Sequence, residues 1–563
     1  MSTASTKQAR KKRQQSEWGA SVAAREVADA PPPTTAGTEL PERVWMYASL
    51  AVLMAATLLR LYALELKPMH HDEGVNGFFL TTLLRSGAYK YDPTNYHGPT
   101  LYYLTLPAVA LMGLTTFAVR FVIALFGVAT VWLVLSLRRY LGPVGALAAA
   151  ALVAVSPGAV FYSRYFIHET LFVFFTLGIV VAALRFYETR QGWYLMLLSG
   201  SAALLFATKE TAFISAGVLI LAALVSWGWV SLTSGAKAPP ANAKGKRRAK
   251  EVEEEFSLRA LRERFGGAGR AAVLVVCALA LFVWLNLLFY SSFTTNWPGV
   301  GGAIEALAVW QRTGTSDFHS KPFYTYLQWL GQEEAPILIL ALAGASVALF
   351  ERRKNRFAIF AGAWGFGTLA AYSLIPYKTP WLAINFVIPM ALVGGYAVQL
   401  LSARVATANE TRGMRRHVPA LVVGGLAVSV CLYQTMVINF RKYDDDTYPY
   451  VYSHTQREAL QLLAEVERIA GRAGRAGKGG ISVTSKDYWP LPWYFRDNTN
   501  VGYEGKVAER YDPNSTLVVI GNESQLPELQ RLLAQGYRRV GGVYPLRPGV
   551  KLVLFARADL IAP

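Results

Sequence analysis

The chain has 563 residues, of which 53% are hydrophobic, 13% aromatic and only 17% charged. Soluble domains carry about 25% charged residues, so this composition indicates a polytopic membrane protein and excludes a soluble globular enzyme. The formal net charge is +19, but the basic residues gather in the N-terminal segment, in one long loop and in short connectors. That distribution is typical of cytoplasmic segments that meet anionic lipid, and it argues against nucleic acid as a partner. The cysteines Cys277 and Cys431 lie in apolar runs and indicate no disulfide framework.

Residues 1–43 are polar and have no apolar core beside their charges, which predicts a disordered cytoplasmic tail and not a cleaved signal peptide. Residues 44–439 form the predicted transmembrane domain, because they contain repeated apolar runs of the length that crosses a bilayer. The run 100–114 is short and interrupted by Pro107, so we expect it to lie in the membrane interface; a true span is the alternative. We expect about eleven transmembrane helices, at 44–64, 117–137, 142–161, 170–186, 194–207, 212–232, 271–290, 335–350, 357–375, 382–401 and 418–439.

The positive-inside rule orients these helices. Arg138 and Arg139 and the charged insert 233–270 are expected in the cytoplasm, which leaves large outer loops at about 65–116 and 291–334. With an odd number of spans, the N-terminus is cytoplasmic and the C-terminus lies outside the plasma membrane. Residues 440–563 alternate short apolar runs with helical periodicity, which predicts a small extracytoplasmic α/β domain. Its expected strands lie near 480–485, 516–521 and 551–556, and its expected helices near 458–470 and 526–535.

The first outer loop carries a dense group of titratable residues. His70, His71, Asp72 and Glu73 follow the first span, and His97 closes the loop. Such groups are costly at a membrane unless a ligand, a metal or water meets them, although an ordinary solvated loop is the alternative. Other predicted spans deliver charged or titratable residues to the same face: Arg164, His168, Glu169, Lys209, Glu210, His319, Lys321 and Lys378.

Basic residues at the outer ends of spans break the positive-inside trend. Snorkelling to the lipid headgroups would account for any one of them. Several together, beside an acidic loop, indicate a site for an anion held at the membrane surface. A lipid-linked phosphate or diphosphate fits, because Arg and Lys form charge-assisted hydrogen bonds with phosphate oxygens. We therefore predict a group that binds substrate phosphate: Arg164, Lys209, His319, Lys321 and Lys378.

Carboxylates supply the second part of the predicted site. Transfer of a sugar from a phosphate leaving group needs a base that takes a proton from the acceptor. Asp72 is the first candidate for this base, with Glu73 and Glu169 as further catalytic candidates. The alternative for Asp72 is helix capping, since Asp is favoured at helix starts. A divalent metal ion (Mn²⁺, Mg²⁺ or Zn²⁺) is a possible cofactor with no short ligand spacing to support it; its candidate ligands are His97, His319 and Glu73, and also His71 and Asp72.

Four elements of the chain resemble the GT-C type of lipid-dependent membrane glycosyltransferases. They are similar to the protein O-mannosyltransferase and aminoarabinose-transferase group, and more so to the bacterial and archaeal branch of flippase-associated membrane proteins. The resemblance covers roughly residues 44–401, and it departs at His97-Gly98-Pro99, where the aminoarabinose transferases have Glu-Lys-Pro. The four elements are Asp72-Glu73 after the first span, Ser163-Arg164 with Glu169 in place of Asp, His319-Ser320-Lys321-Pro322-Phe323-Tyr324, and Lys378-Thr379-Pro380.

The resemblance implies transfer of a sugar, with inversion, from a polyprenyl-phosphate donor in the outer leaflet to an extracytoplasmic protein, lipid or glycan. It implies Asp72 as the base, Arg164 and Lys378 at the phosphate, and His319 near the metal or the donor. The outer domain would help to choose the acceptor. The second hypothesis is a non-catalytic protein that binds lipid-linked sugars and assists their flipping or glycan assembly.

Overall fold

The structure is a computed structural model, and it describes residues 40–95, 97–234, 265–314, 320–351, 355–408 and 414–561. The predicted N-terminal tail and the middle of the insert 233–270 lie outside the described residues. The α-helices of the first part of the chain are α1 (Glu42–Leu61), α2 (His71–Ser86), α3 (Thr100–Met112), α4 (Thr116–Leu135), α5 (Arg138–Leu141), α6 (Pro143–Val155), α7 (Pro157–Tyr162), α8 (Glu169–Thr189), α9 (Gly192–Phe206), α10 (Ala212–Ser234), α11 (Ala268–Tyr290), α12 (Pro298–Gly314), α13 (Thr325–Glu333), α14 (Ala335–Phe350), α15 (Arg356–Leu374), α16 (Ile384–Ala408) and α17 (Val418–Met436).

Eight helices of the described chain are long and apolar enough to cross a membrane, judged by length and composition. They are α1, α4, α8, α10, α11, α15, α16 and α17. The helices α13 and α14 meet at a bend of 111° and form a ninth span if they are counted together. Each of the predicted transmembrane runs contains a helix, but α6 and α9 are shorter than the roughly 20 residues that a span needs. Length alone therefore gives eight or nine spans, where the sequence predicted about eleven.

Helix α16 lies at the centre of the helical bundle, and 89% of its apolar window is buried. Small residues let its neighbours approach closely. Gly395 contacts the Gly145 carbonyl of α6, and a Cβ at Gly344 of α14 would overlap the Val393 carbonyl oxygen. These close contacts pack α6 and α14 tightly against α16.

Helix α2 begins where the chain leaves α1, and its N-terminus is closed by a reciprocal cap. The Asp72 amide donates to His70 Nδ1 at 3.1 Å, and the His70 amide donates to Glu73 Oε2 at 2.9 Å. This arrangement satisfies two of the amides that a helix start leaves without partners. The capping residue is therefore His70, and the Asp72 carboxylate is left in the first turn with no capping bond of its own.

The C-terminal part of the chain is a small α/β domain, as predicted. Its five-stranded sheet has the order β2-β1-β3-β5-β4, with β1 parallel to β2 and β3, and β5 antiparallel to β3 and β4. The three inner strands are the apolar runs that the sequence predicted. The two edge strands, β2 and β4, were missed because their residues are partly exposed or alternate in burial. The elements are α18 (Ala459–Arg472), β1 (Ile481–Val483), α19 (Leu491–Tyr494), β2 (Val501–Tyr503), β3 (Val518–Asn522), α20 (Leu526–Leu532), β4 (Tyr537–Arg547) and β5 (Val550–Arg557).

The C-terminal domain packs directly on α2. The indole of Trp493 lies against Gly77, where a Cβ would overlap the ring, and its Nε1 donates to Thr116 Oγ1 at 3.1 Å. A Cβ at Gly74 would come within 2.6 Å of Pro490 Cβ. The glycines of the first outer loop are therefore explained by the close approach of a domain that lies hundreds of residues away in the sequence.

Candidate active site

A cavity of about 550 Å³ lies between α2, the start of α8, the segment before α16 and the C-terminal domain. This volume is within the range of roughly 300–1,000 Å³ that is typical of small-molecule sites. Of the predicted site residues, Asp72, His97 and Glu169 line it. Its other lining residues are His70, His71, Val75, Asn76, Thr94, Asn95, Ile167, His168, Tyr377, Thr379, Trp381, Tyr452, Ser453, Asp487 and Arg547.

Asp72 presents an open carboxylate to this cavity. Its side chain is 40% exposed, and the nearest cationic candidate, His70 Nδ1, is 3.8 Å from Oδ2. The His70 ring accepts the Asp72 amide at Nδ1 and lies 3.3 Å from the Tyr452 carbonyl oxygen through Nε2, which fits a neutral ring protonated at Nε2. Since no hydrogen bond to the Asp72 carboxylate occurs within the described parts of the chain, its oxygens are available to a ligand.

Glu169, which lines the cavity, forms a buried ion pair with Lys209. Lys209 Nζ donates to Glu169 Oε1 at 2.5 Å. Burial by itself would lower the pKa of Lys209, but the carboxylates of Glu169 and Glu210 raise it above its ordinary value, so the ammonium stays charged. His97 Nδ1 lies 3.0 Å from Glu210 Oε2, next to this pair. Lys209, a predicted phosphate-binding residue, and Glu169, a predicted catalytic residue, thus neutralise each other's charge.

A second, smaller cavity of about 50 Å³ adjoins the first beside His97. The two share His97, Tyr377, Thr379 and Trp381 as lining residues. The small cavity is lined by Lys209 and Glu210 on one side and by apolar side chains on the other, including Trp310, Ile375 and Leu382. It therefore combines an ammonium group, paired with Glu169, with apolar side chains.

Glu73 does not line the cavity, and this corrects its predicted place beside Asp72. It is fully buried, and its two oxygens accept from Arg120 Nε and Nη2, both at 2.7 Å. The amides of Phe166 and His70 donate to the same carboxylate at 2.8 and 2.9 Å. Burial alone would raise the pKa of Glu73, but Arg120 lowers it, so the carboxylate is ionised and fully engaged. It joins the first outer loop to α4 and leaves no oxygen for a substrate or a metal.

Arg164 belongs to a buried cation cluster, which we define as Arg60, Lys67, Arg120 and Arg164, each at most 1% exposed. The Arg164 guanidinium donates to backbone carbonyls at the C-terminal end of α1, with Nη1 to Tyr62 and Nη2 to Ala63, both at 2.7 Å. A helix C-terminus carries a partial negative charge and unsatisfied carbonyls, both of which suit a cation. Arg164 does not line the cavity. This placement gives it a capping contact and does not support the predicted phosphate contact.

The predicted phosphate-binding residues Lys378 and Lys321 have different surroundings. Lys378 is buried, and its Nζ donates to the carbonyls of Ile375 at 2.6 Å and Lys321 at 3.1 Å, so it ties together two segments near the cavity. Lys321 Nζ lies 5.5 Å above the ring of Tyr452, a cavity residue. His319 lies outside the described residues.

The predicted metal ligands do not come together in the described part of the chain. No group of three or more His, Cys, Asp or Glu side chains there could hold a metal ion. Glu73 is taken by Arg120, and His97 is paired with Glu210. The described residues of the predicted ligand set therefore do not fit a divalent ion.

The sequence did not predict two cavity residues that come from the C-terminal domain, Arg547 and Asp487. Arg547 ends β4 and donates through Nη2 to Asp487 Oδ1 at 2.7 Å, and through Nη1 to the Trp489 carbonyl at 3.0 Å. Its Nη1 also lies 3.1 Å from Nδ1 of His71, which is 476 residues away in the chain. Burial lowers the pKa of His71 to about 4, with smaller effects of His70 and this guanidinium in the same direction and of Asp72 in the opposite one. No sequence motif marks a contact over such a separation.

The geometry can be compared with known proteins. The family model for dolichyl-phosphate-mannose-protein mannosyltransferases matches residues 96–237 of this chain. The fold is similar to ArnT from Cupriavidus metallidurans bound to undecaprenyl phosphate, with a TM-score of 0.57 and 15% identity over 93% of this chain and 100% of that one. It is also similar to the archaeal oligosaccharyltransferase AglB from Archaeoglobus fulgidus, in complex with an inhibitory peptide and a dolichol-phosphate, with a TM-score of 0.51 and 12% identity over 86% of this chain and 70% of that one. No curated protein sequence matches the chain.

At these identities the structural likeness establishes the fold. The chain is a multi-pass membrane protein of the GT-C fold with a small C-terminal α/β domain. The predicted fold class is therefore confirmed, and so is the resemblance to glycosyltransferases that use polyprenyl-phosphate sugars. The acceptor, the inversion and the role of Asp72 stay predictions.

Proposed function

We propose that this protein transfers a sugar from a polyprenyl-phosphate donor to a hydroxyl-bearing acceptor, with inversion and with Asp72 as the base. The observation that carries the proposal is the open Asp72 carboxylate, which lines a cavity of about 550 Å³ at the end of the helical bundle. The donor class is supported by the similar folds, since the ArnT structure holds undecaprenyl phosphate and the AglB structure holds a dolichol-phosphate. We place the site on the outer face of the plasma membrane, where the positive-inside rule puts these loops.

The large and the small cavity suit the two substrates. The apolar residues and the Lys209 ammonium that line the small cavity suit a lipid phosphate. Asp72 lines the large cavity, where it takes the proton of the acceptor hydroxyl as the oxygen attacks the anomeric carbon. The bond from this carbon to the phosphate oxygen breaks in the same step, and the phosphate leaves with an added negative charge that Lys209 stabilises. A single displacement of this kind inverts the configuration of the anomeric carbon.

The experiment is a turnover assay on purified full-length protein with radiolabelled polyprenyl-phosphate hexoses and pentoses, each with and without EDTA. Asp72→Asn should lower turnover by about 10²–10⁴-fold, the usual contribution of a general base, without changing donor binding. Asp92→Asn is the matched control, because Asp92 lies in the same loop, does not line the cavity, and its carboxylate accepts hydrogen bonds from Thr94. Donor binding without turnover in wild type, across all donors, would contradict the proposal. That result would favour a non-catalytic protein that binds lipid-linked sugars.

A further inference from the structure

The C-terminal domain contributes an ion pair to the cavity wall that the proposed reaction has not yet used. Arg547 and Asp487 both line the cavity, and the Arg547 side chain is only 11% exposed. Arg547 is held from several directions, because it contacts Asp487, the Trp489 carbonyl and His71. A guanidinium fixed in this way has lost its conformational freedom before any ligand binds, and such preorganisation is typical of a binding group.

The turn that carries Arg547 is itself rigid. Pro548 and Gly549 connect β4 to β5, and Gly549 has a φ of +79°, a conformation that favours glycine. Arg547 is paired in register with Val550 across this turn. The domain in turn is fixed to α2 through Trp493 and through Tyr494, whose hydroxyl accepts from the Met69 amide at 2.8 Å. Arg547 and Asp72 therefore lie on two elements that hold each other in place.

Arg547 and Asp72 face the same cavity without touching each other. No hydrogen bond joins them in the described structure, and the Asp72 carboxylate is open on the cavity side. Lys209 lines the small cavity, whereas Asp72 and Arg547 do not. A phosphate at Lys209 and a second substrate beside Arg547 would therefore occupy different ends of the site.

We propose that Arg547, oriented by Asp487, binds an oxygen of the acceptor next to Asp72, and that this acceptor is a neutral carbohydrate. The inference rests on the proposed function, since an acceptor exists only if sugar is transferred. A neutral acceptor fits because Asp487 already compensates the charge of Arg547, and a second anion at this place would meet the carboxylates of Asp487 and Asp72. A carbohydrate fits because the aromatic side chains of Trp381 and Tyr452 line the same cavity as Arg547 and Asp72.

The test measures acceptor binding apart from donor turnover. Full-length protein loaded with undecaprenyl phosphate is titrated with a panel of methyl glycosides, and binding is followed by saturation-transfer NMR. Wild type should bind at least one glycoside, and Arg547→Ala should weaken that binding tenfold or more. Arg557→Ala is the matched control, because Arg557 makes a similar ion pair with Asp559 and does not line the cavity. Arg547→Lys is the second variant, since it keeps the charge but loses the planar fork that contacts two partners.

Turnover separates this inference from the proposed function. With a glycoside as acceptor, Arg547→Ala should raise the KM for the glycoside tenfold or more and leave the KM for the polyprenyl-phosphate sugar unchanged. No turnover of any donor by wild type would contradict the proposed function, whereas turnover with an unchanged glycoside KM in the variant would overturn only the role of Arg547. Failure of every glycoside to bind wild type, or displacement of a bound glycoside by inorganic phosphate through Arg547, would overturn the neutral-carbohydrate assignment.

Discussion

The buried cation cluster and the cavity both involve charged residues that are neighbours in the sequence. In the cluster the charged groups have buried partners, whereas at the cavity they line an open space. Glu73 directly follows Asp72 but is fully buried, with four hydrogen bonds to its carboxylate, whereas the Asp72 side chain is 40% exposed. Arg164 shortly precedes Glu169 and donates to helix-end carbonyls, whereas Glu169 lines the cavity. A charged residue at the end of a span can therefore stabilise the connection between two helices or face the cavity. Its hydrogen-bond partners in the folded chain determine which of the two it does.

The largest expected effect comes from removing the buried negative charge of Glu73. Glu73→Gln leaves Arg120 buried without a carboxylate, which should lower the free energy of unfolding by about 3–5 kcal/mol. Glu42→Gln removes an exposed pair with Arg138, which solvent screens, and should leave the free energy of unfolding almost unchanged. Thermal unfolding in detergent micelles measures both variants. Full stability of Glu73→Gln together with lost turnover would contradict the structural role and return Glu73 to the catalytic group.

The next largest effect is expected when Lys209, beside the cavity, loses its charge. Lys209→Met should lower turnover by about 10²–10³-fold, the usual loss when one stabilising donor of a developing charge is removed. It also leaves Glu169 buried without its partner, so some stability should be lost as well. The double variant Lys209→Met/Glu169→Gln removes this unpaired charge and should recover the stability but not the turnover. Recovery of turnover in the double variant would show that Lys209 only compensates Glu169.

The sequence predicted the apolar helices well because each transmembrane run is a local pattern. It also marked Asp72 as a candidate, since an acidic residue beside a span end is unusual wherever its side chain points, and Asp72 lines the cavity. It could not separate Asp72 from Glu73, because their difference depends on Arg120, which is 47 residues away. The same holds for Arg164, whose acceptor carbonyls lie about 100 residues earlier. Burial and partner choice are properties of the packed chain, and a single sequence does not display them.

The two edge strands and the C-terminal contribution to the cavity were missed for a related reason. Strand β4 carries exposed arginines between buried residues, so it shows neither a continuous apolar run nor a clean alternation. Arg547 therefore carried no sequence signal that set it apart from a surface cation. The packing of the C-terminal domain on α2, where Pro490 lies against Gly74 and Trp493 against Gly77, brings this strand end to His71.

A smaller effect should appear on acidification, at the contact of α2 with the C-terminal domain. Burial, with smaller contributions from His70 and Arg547, lowers the pKa of His71 from 6.5 to about 4. Between these values the unfolded chain binds a proton at His71 that the folded chain does not, so stability rises with pH across this window and falls as the pH is lowered through it. The slope is up to about 1.4 kcal/mol per pH unit. Unfolding at pH 7 and pH 5 should differ less in His71→Gln than in wild type, and an equal difference would contradict the assignment.

The smallest effect tests how tightly the C-terminal domain is held on α2. Gly77 lies inside a helix, where alanine would ordinarily stabilise by about 0.5–1 kcal/mol. At this position the added methyl group overlaps the indole of Trp493, a ring with no free end to move aside, so Gly77→Ala should instead destabilise by a net amount of about 1 kcal/mol. Gly217→Ala in α10 is the matched control, because nothing lies within 4 Å of its Cβ, and it should be neutral or stabilising. Opposite signs at the two glycines, with weaker glycoside binding only in Gly77→Ala, would show that Arg547 reaches the cavity through this contact. The same sign at both would mean that the domain is held in place without it.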